Sequence, residues 1–378
     1  MGLIPSRLGR NKKTKADVLK LQTSWRISRS FHCFIQFKVE ALKNWDMFLA
    51  NGTHSVTEFI LLGFPVTQGQ NVALFLLILI LYILSLGGNV LIIVVVRTDH
   101  KLQTPMYFFL SNLSFLEIWY TTAVVPKMLA NLLSTRTTIC FYCCLAQLYF
   151  HFLFGLTEIF ILTVMSFDRY LAICQPLRYM TIMNTHVCLH LALGTWAGGF
   201  LSIFTHIILL LQLPFCASNV INHYYCDIGP VLKVACGDTQ LIEFLGFIIA
   251  VVVIFSSFVF TVVSYILIIA TILRIPSSKG RQKAFSTCAS HLIVVSILYG
   301  ALFFMYMRPA PTQSSFGLNK AVSLLNTVLT PTLNPFIYTI RNNEFKEALR
   351  KALSGKGLRF PNISGIVCGR KQCSLMQT

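Results

Sequence analysis

Seven apolar stretches follow one another along the chain, each about as long as a bilayer is thick. They fall at roughly Asn71–Arg97, Met106–Ala130, Phe141–Ala172, Val187–Leu211, Glu243–Leu273, Ala284–Met307 and Lys320–Thr339. A helix needs about 20 apolar residues to cross the hydrocarbon layer. These stretches are apolar on every face, so they do not read as helices floating on a soluble core. The sequence therefore predicts an all-α membrane protein, a bundle of seven transmembrane helices.

Composition agrees. Only 12% of the residues are charged and 55% are hydrophobic, whereas a soluble domain carries about 25% charged residues. A formal charge of +18 in a soluble protein would point to nucleic acid. Here the basic residues sit between and beyond the apolar runs, so no nucleic-acid partner is expected. Their placement reports orientation across a bilayer instead. With the first 46 residues set aside, the loops after spans 1, 3 and 5 together with the C-terminal tail carry 16 Lys and Arg, and the other side carries 5. The richer side is expected in the cytoplasm, with the N-terminus outside and the C-terminus inside.

The first 46 residues run against this rule, since they hold 10 of the 31 Lys and Arg on the side to be translocated. From Met47 to Gln70 there is neither. Met47 is thus a candidate start, with residues 1–46 an upstream extension; an Arg- and Ser-bearing transit peptide is the rival reading. The expected organisation is an extension at 1–46, an extracellular tail at 47–70, the seven-helix domain at 71–340 and a cytoplasmic tail at 341–378. In that tail Phe345, Leu349 and Leu353 share a helical face with Arg350 and Lys351 off it. This pattern suits a short amphipathic helix on the membrane surface. Residues 354–378 read as disordered.

Polar groups inside spans are costly, and each calls for a reason. Asp168, Arg169 and Tyr170 close span 3, where an ion pair can tie the helix end or act as a releasable switch. In span 7, Asn334-Pro335-Phe336-Ile337-Tyr338 places a proline inside a membrane helix. Pro335 removes a backbone hydrogen bond and kinks the helix, and Asn334 is positioned to satisfy the freed backbone. Glu117 in span 2 and Glu158 in span 3 are two carboxylates at membrane depth. Either they are protonated and hydrogen-bonded, or a cation sits between them. Cys216, Cys226 and Cys236 share the polar loop after span 4, and Cys144 opens span 3 on the same side. Four cysteines allow three pairings.

Gly88-Asn89, Asp168-Arg169-Tyr170, Trp196 and Asn334-Pro335-x-x-Tyr338 resemble the rhodopsin-like receptor pattern. Longer runs resemble odorant receptors in particular: Pro105 to Ser114, Met165 to Tyr179, Ser264-Tyr265, Lys283 to Leu292, and Asn334 to Asn342. The likeness extends from Met47 to about Leu353. Glu117 stands where most rhodopsin-like receptors carry Asp, and Tyr299 stands where they carry Trp. Tyr299-Gly300 is similar to the odorant-receptor version, with Leu298 in place of a more frequent Phe.

The resemblance implies a small, mostly apolar volatile ligand and a heterotrimeric G protein of the olfactory, cyclase-stimulating type. It implies disulfides Cys144–Cys226 and Cys216–Cys236, a sodium-type site at Glu117 and Glu158, and no other cofactor. By helical phase and likeness the ligand pocket takes His151, Phe152, Gly155, Leu156 and Ile159 from span 3, and Ile249 and Val253 from span 5. Tyr299, Phe303 and Tyr306 come from span 6 and Thr327 from span 7. His151 and Tyr306 are the polar handles. Activation would reorganise Asp168, Arg169, Tyr170, Tyr265, Asn334, Pro335 and Tyr338. Asn51-Gly52-Thr53 is a glycosylation acceptor on the expected outer tail. An enzyme is disfavoured because no nucleophile or metal motif accompanies the carboxylates. A transporter is disfavoured because no internal repeat is visible and only span 7 shows a mid-span proline break.

Overall fold

The structure, a computed structural model, describes residues 56–65, 67–215, 218–306, 315–340 and 343–353. The extension at 1–46, Asn51, Cys216 and the tail from 354 onward lie outside the described residues.

Among the described residues seven helical spans form the body, six of them long and apolar enough to cross a membrane as single helices. Span 1 is Gln68–Thr98, span 2 Pro105–Leu133, span 3 Phe141–Cys174 and span 4 Thr185–Gln212. Span 5 is Gln240–Leu273, span 6 is Ser278–Tyr306, and span 7 covers 315–340. The helix ends overrun some of the apolar stretches by a few residues, and side-chain caps close the starts of spans 1 and 4. Thr67 and Gln70 close a capping box at the start of span 1, with Thr67 N–H donating to Gln70 Oε1 at 2.8 Å. Asn184 Oδ1 accepts from Val187 N–H at 3.0 Å to open span 4. Such caps satisfy N–H groups that a helix start otherwise leaves without partners.

Spans 5 and 7 each contain one wider turn, Val251–Phe255 and Leu325–Leu329, wound with π rather than α geometry. The turn in span 7 divides it into short α segments flanking Leu325–Leu329. Large apolar side chains such as Leu76, Ile80, Leu201, Phe247 and Ile266 face outward, as a lipid environment requires and a soluble fold would not tolerate.

Two helix proline sites deserve comparison. Span 2 runs unbroken through Pro126. Pro335 sits inside span 7 and leaves the Pro331 carbonyl without its helical donor. Asn334 does not fill that vacancy, contrary to expectation. Asn89 of span 1 does, donating Nδ2–H to Pro331 O at 3.2 Å and to its own Ser85 O at 3.0 Å. Gly88 makes this approach possible: a Cβ there would lie 2.8 Å from Pro335 Cβ. The adjacent Gly-Asn pair therefore serves one purpose, a close span 1–span 7 crossing.

At the end of the bundle where span 3 begins, a small sheet adds to the helices. Strand β1 is Glu58–Leu61, β2 is Thr138–Cys140 and β3 is Val220–Ile221. β1 lies in the centre, antiparallel to β2 with Phe59 opposite Ile139, and parallel to β3 with Leu61 opposite Ile221. The alternation in Glu58-Phe59-Ile60-Leu61 puts Phe59 and Leu61 on one face, where both are fully buried. Phe59 meets Phe141 and Phe215, each at 5.7 Å between ring centres. The segment before span 1, expected to be a plain tail, is thus stitched to the loop after span 4.

The opposite end carries the short helix Asn343–Leu353. It buries Phe345 and Ala348, and Lys351 pairs with Glu347 at 3.2 Å one turn back. Of the face expected from the sequence, Phe345 is buried and Leu349 half-buried.

Replacing Gly88 with Val should press a branched side chain into Pro335 and cost about 1–3 kcal/mol of overpacking. Thermal unfolding of the purified protein measures it; an unchanged midpoint would mean spans 1 and 7 are not held this closely.

Candidate functional site: an aromatic chamber and an ion-pair switch

The mouth of the bundle is built from span 3 outward. Cys144 Sγ is bonded to Cys226 Sγ, which ties the loop after span 4 to the first turn of span 3. One turn deeper, Gln147 holds the same loop a second time. Its Oε1 accepts from Cys226 N–H at 3.0 Å while its Nε2–H donates to Ala123 O at 3.0 Å. A second bridge joins Cys140 to Cys143, a pairing outside those weighed from the sequence. Cys236 is also disulfide-bonded.

Pinned this way, the loop drives His223, Tyr224 and Tyr225 into the bundle, all of them buried. The His151 ring lies stacked on Tyr120 at 4.9 Å and against Tyr225 at 4.6 Å. Its Nδ1 has no hydrogen-bond partner. Phe152 meets the His151 ring edge-on at 5.4 Å, and Gly155 leaves room for Tyr120, whose ring would stand 3.7 Å from a Cβ there. Tyr224 and Tyr225 both reach Ser323 Oγ at 3.1 Å, and Asn326 Nδ2–H donates to the Tyr120 hydroxyl at 3.3 Å. Thr327 is buried in the π turn of span 7 beside them. Leu156 is half-buried and Ile159 buried.

Tyr299 and Phe303 belong to a different group. Phe258 of span 5 meets Tyr299 at 5.2 Å and Phe303 at 4.9 Å, both edge-on. Val253 is buried in the π turn above, and Ile249 is half-buried. Tyr306 is 45% exposed at the end of span 6. Among the described residues, no ring contact or hydrogen bond joins this group to His151. Sequence reading overlooked Tyr120, Gln147, Tyr224, Tyr225, Ser323 and Asn326. Gln147 and Asn326 are amides at membrane depth, and that cost was the available signal.

Between these levels, Asn334 Nδ2–H donates to Glu117 Oε1 in a short contact. Glu117 Oε2 and Glu158 Oε1 are buried without partners.

At the far end of span 3, Arg169 Nε–H donates to Asp168 Oδ2 at 3.0 Å, and a second guanidinium nitrogen reaches the same oxygen. Tyr179, in the short helix Pro176–Ile182, donates its hydroxyl to Asp168 Oδ1 at 2.8 Å. Burial, then the neighbouring carboxylate, push the Tyr179 hydroxyl up, so it remains a donor. Tyr170 accepts from Gln175 at 3.4 Å. Tyr265 is engaged elsewhere, with His291 Nδ1 at 2.6 Å, and the buried Tyr338 hydroxyl has no partner. Arg169 is therefore held by its own neighbour, while Tyr265 and Tyr338 stand apart from it.

A seven-helix membrane bundle, closed by a disulfide-tied loop at one end and an Asp-Arg-Tyr ion pair at the other, defines a G-protein-coupled receptor. The "Olfactory receptor" family model matches residues 78–356. Human "Olfactory receptor 6X1" is 60% identical over 306 residues, covering 81% of this chain and 97% of the relative. Human "Olfactory receptor 6F1" is 55% identical over 299 residues, covering 79% and 97%, and rat "Olfactory receptor 287" is 52% identical over 298, covering 79% and 96%. The chain belongs to the olfactory receptor family, a family of non-enzymatic, multi-pass membrane receptors.

His223 supplies a pH handle outside the spans. Burial, then the nearby positive charge of Lys320, lower it from 6.5 to about 3. Its folded form thus stays neutral where an unfolded chain would take up a proton. Stability tied to His223 should be complete above about pH 6.5 and fall as pH drops from there toward 3. Thermal unfolding of wild type and His223→Gln at pH 7 and pH 5 tests this: the wild type should lose more on acidification, and equal losses would refute it.

Proposed function

We propose that this receptor binds a small, mostly apolar odorant in the chamber bounded by spans 3, 5, 6 and 7 and activates a cyclase-stimulating G protein. The observation that carries this reading is His151, clamped between Tyr120 and Tyr225 beneath the loop that Cys144–Cys226 and Gln147 hold down. An aromatic wall whose hydroxyls and amides are mostly paired with one another suits an apolar ligand that offers one hydrogen bond. His151, Phe152, Gly155, Leu156 and Ile159 form the span 3 wall. Ile249, Val253, Tyr299, Phe303, Tyr306 and Thr327 complete the pocket.

The Cys144 end faces outward and the Arg169 end faces the cytoplasm, in keeping with the excess of Lys and Arg on the Arg169 side. The protein works at the plasma membrane, and Asn51 is glycosylated on its outer tail. The ligand favours the arrangement in which spans 3 and 6 part at the inner face. Arg169 then leaves Asp168, and Tyr265 and Tyr338 turn toward it. A sodium ion between Glu117 and Glu158 steadies the resting state. The two partnerless buried oxygens there support that reading, because a buried anion without a partner is costly.

The test is cAMP production against an odorant panel in cells bearing the full chain and a stimulatory G protein. Arg169→Ala should abolish the response at matched surface level. His151→Leu should shift the half-maximal concentration upward about 3- to 10-fold if His151 donates one hydrogen bond. A surface-expressed receptor silent to every odorant, or an Arg169→Ala variant that signals like wild type, counts against the reading.

A further inference from the structure

Cys140-Phe141-Tyr142-Cys143 is a Cys-x-x-Cys unit, closed as a disulfide across the first turn of span 3. The next residue, Cys144, belongs to the bridge with Cys226, which spans 82 residues where Cys140–Cys143 spans three. A bridge restrains the unfolded chain less the shorter its loop. The short bridge therefore adds little to what Cys144–Cys226 and Gln147 already hold. Exposure separates the two bonds as well. Cys144 and Cys226 are fully buried, whereas Cys140 is exposed and Cys143 half-buried. A thiol opens a disulfide by direct attack on sulfur, so access decides which bond it opens.

The local geometry prepares one sulfur to leave. Cys140 is the N-cap of span 3, and Cys143 N–H donates to its Sγ at 3.0 Å. A helix start leaves N–H groups without acceptors, and its positive end favours negative charge. A thiolate at the first cysteine gains from both, which is what makes Cys-x-x-Cys thiols reactive. The better stabilised thiolate is also the better leaving group. The bond is placed to matter for the sheet. Cys140 is the last residue of β2 and stands opposite Glu58 of the central strand β1. Phe141 N–H donates to Thr57 O at 3.0 Å just beyond. The bridge thus ties the edge of the sheet to the helix that follows it.

We propose that Cys140–Cys143 is a thiol–disulfide exchange site, at which a low-molecular-weight thiol opens the bond and loosens the outer sheet while Cys144–Cys226 stays closed. The thiolate of that thiol attacks Cys143 Sγ. A mixed disulfide forms there, the Cys140–Cys143 bond breaks, and Cys140 leaves as a thiolate. A second thiolate attacks the external sulfur of the mixed disulfide and departs joined to it, leaving Cys143 as a thiolate. Each protein thiolate takes up the proton that an attacking thiol gave to water. Two external thiols are oxidised to one disulfide, and one protein disulfide is reduced to two thiols. The site rests on the reading that puts the Cys144 end outside, where an oxidising medium closes the bond.

The experiment treats intact cells displaying the full chain with reduced glutathione and then with a poly(ethylene glycol) maleimide, neither of which crosses the membrane. Alkylated cysteines are read by peptide mapping. Cys140 and Cys143 should gain label at least about ten-fold faster than Cys144 and Cys226. Amide hydrogen exchange on the full chain in lipid nanodiscs should quicken at Glu58–Leu61 after the same reduction. Cys140→Ser, exposed to oxidised glutathione, should carry glutathione on Cys143; Cys143→Ser should carry it on Cys140 if the first variant fails to fold. Cys140 and Cys143 that resist glutathione, or that open only together with Cys144 and Cys226, overturn the site. Exchange at Glu58–Leu61 that does not change overturns its hold on the sheet. Label that appears only in permeabilised cells sustains the site and sinks the outward orientation. An absence of label in nanodiscs, where both faces are open, sinks the site and leaves the orientation standing.

Discussion

A polar group buried in hydrocarbon must find its partner inside the protein, because lipid offers none. This constraint organises the structure more than apolar packing does, since lipid tails are as apolar as the side chains they touch. Pro335 creates the debt in span 7, and Asn89 settles it from span 1. Asn334, one residue away, turns to Glu117 of span 2. Thr332 donates to Leu81 O at 3.1 Å, and Ser290 of span 6 donates to Ile337 O at 2.8 Å. Span 7 is thus fastened to spans 1, 2 and 6 by side chains reaching its irregular stretch or theirs. The kink is a junction as well as a bend.

The two ends of span 3 obey the same constraint with opposite outcomes. Near Cys144 the loop is fixed twice, by a covalent bond and by Gln147, so the roof over His151 is tied at two neighbouring points. Near Arg169 the contacts are non-covalent and shared: Asp168 receives both Arg169 and Tyr179. A covalent roof and a reversible base suit a device that must hold a site steady while its far end changes state.

Much of this was legible in the residues. Unbroken apolar runs dictate membrane helices, and the family runs around Asp168 and Asn334 identify the class. The role of Asn89 was not legible, because its partner is a carbonyl 242 residues away and nothing local announces it. Asn334 was misassigned for the same reason: proximity in sequence favoured the adjacent backbone, while the fold offered it a carboxylate. The strand Glu58–Leu61 was hidden by brevity, since four residues gain a sheet only when two distant segments arrive beside them. The Cys140–Cys143 bridge lies three residues apart and needed only a helix start to form, which no pattern of apolar residues announces. The π turns leave no periodic trace, as one extra residue in a run of similar aliphatics changes no pattern.

Those π turns bear on how the chain tolerates changes in length. A π turn holds one residue more than α winding needs. Removing a residue from Val251–Phe255 would let the turn relax to α geometry, and Tyr265 would still face His291. The same deletion a few residues later, within Ser256–Leu273, has no slack to absorb it. It would rotate everything beyond by about 100° and swing Tyr265 away from span 6. Two neighbouring stretches of the same helix, nearly identical in composition, thus differ in whether a lost residue is a local adjustment or a severed connection.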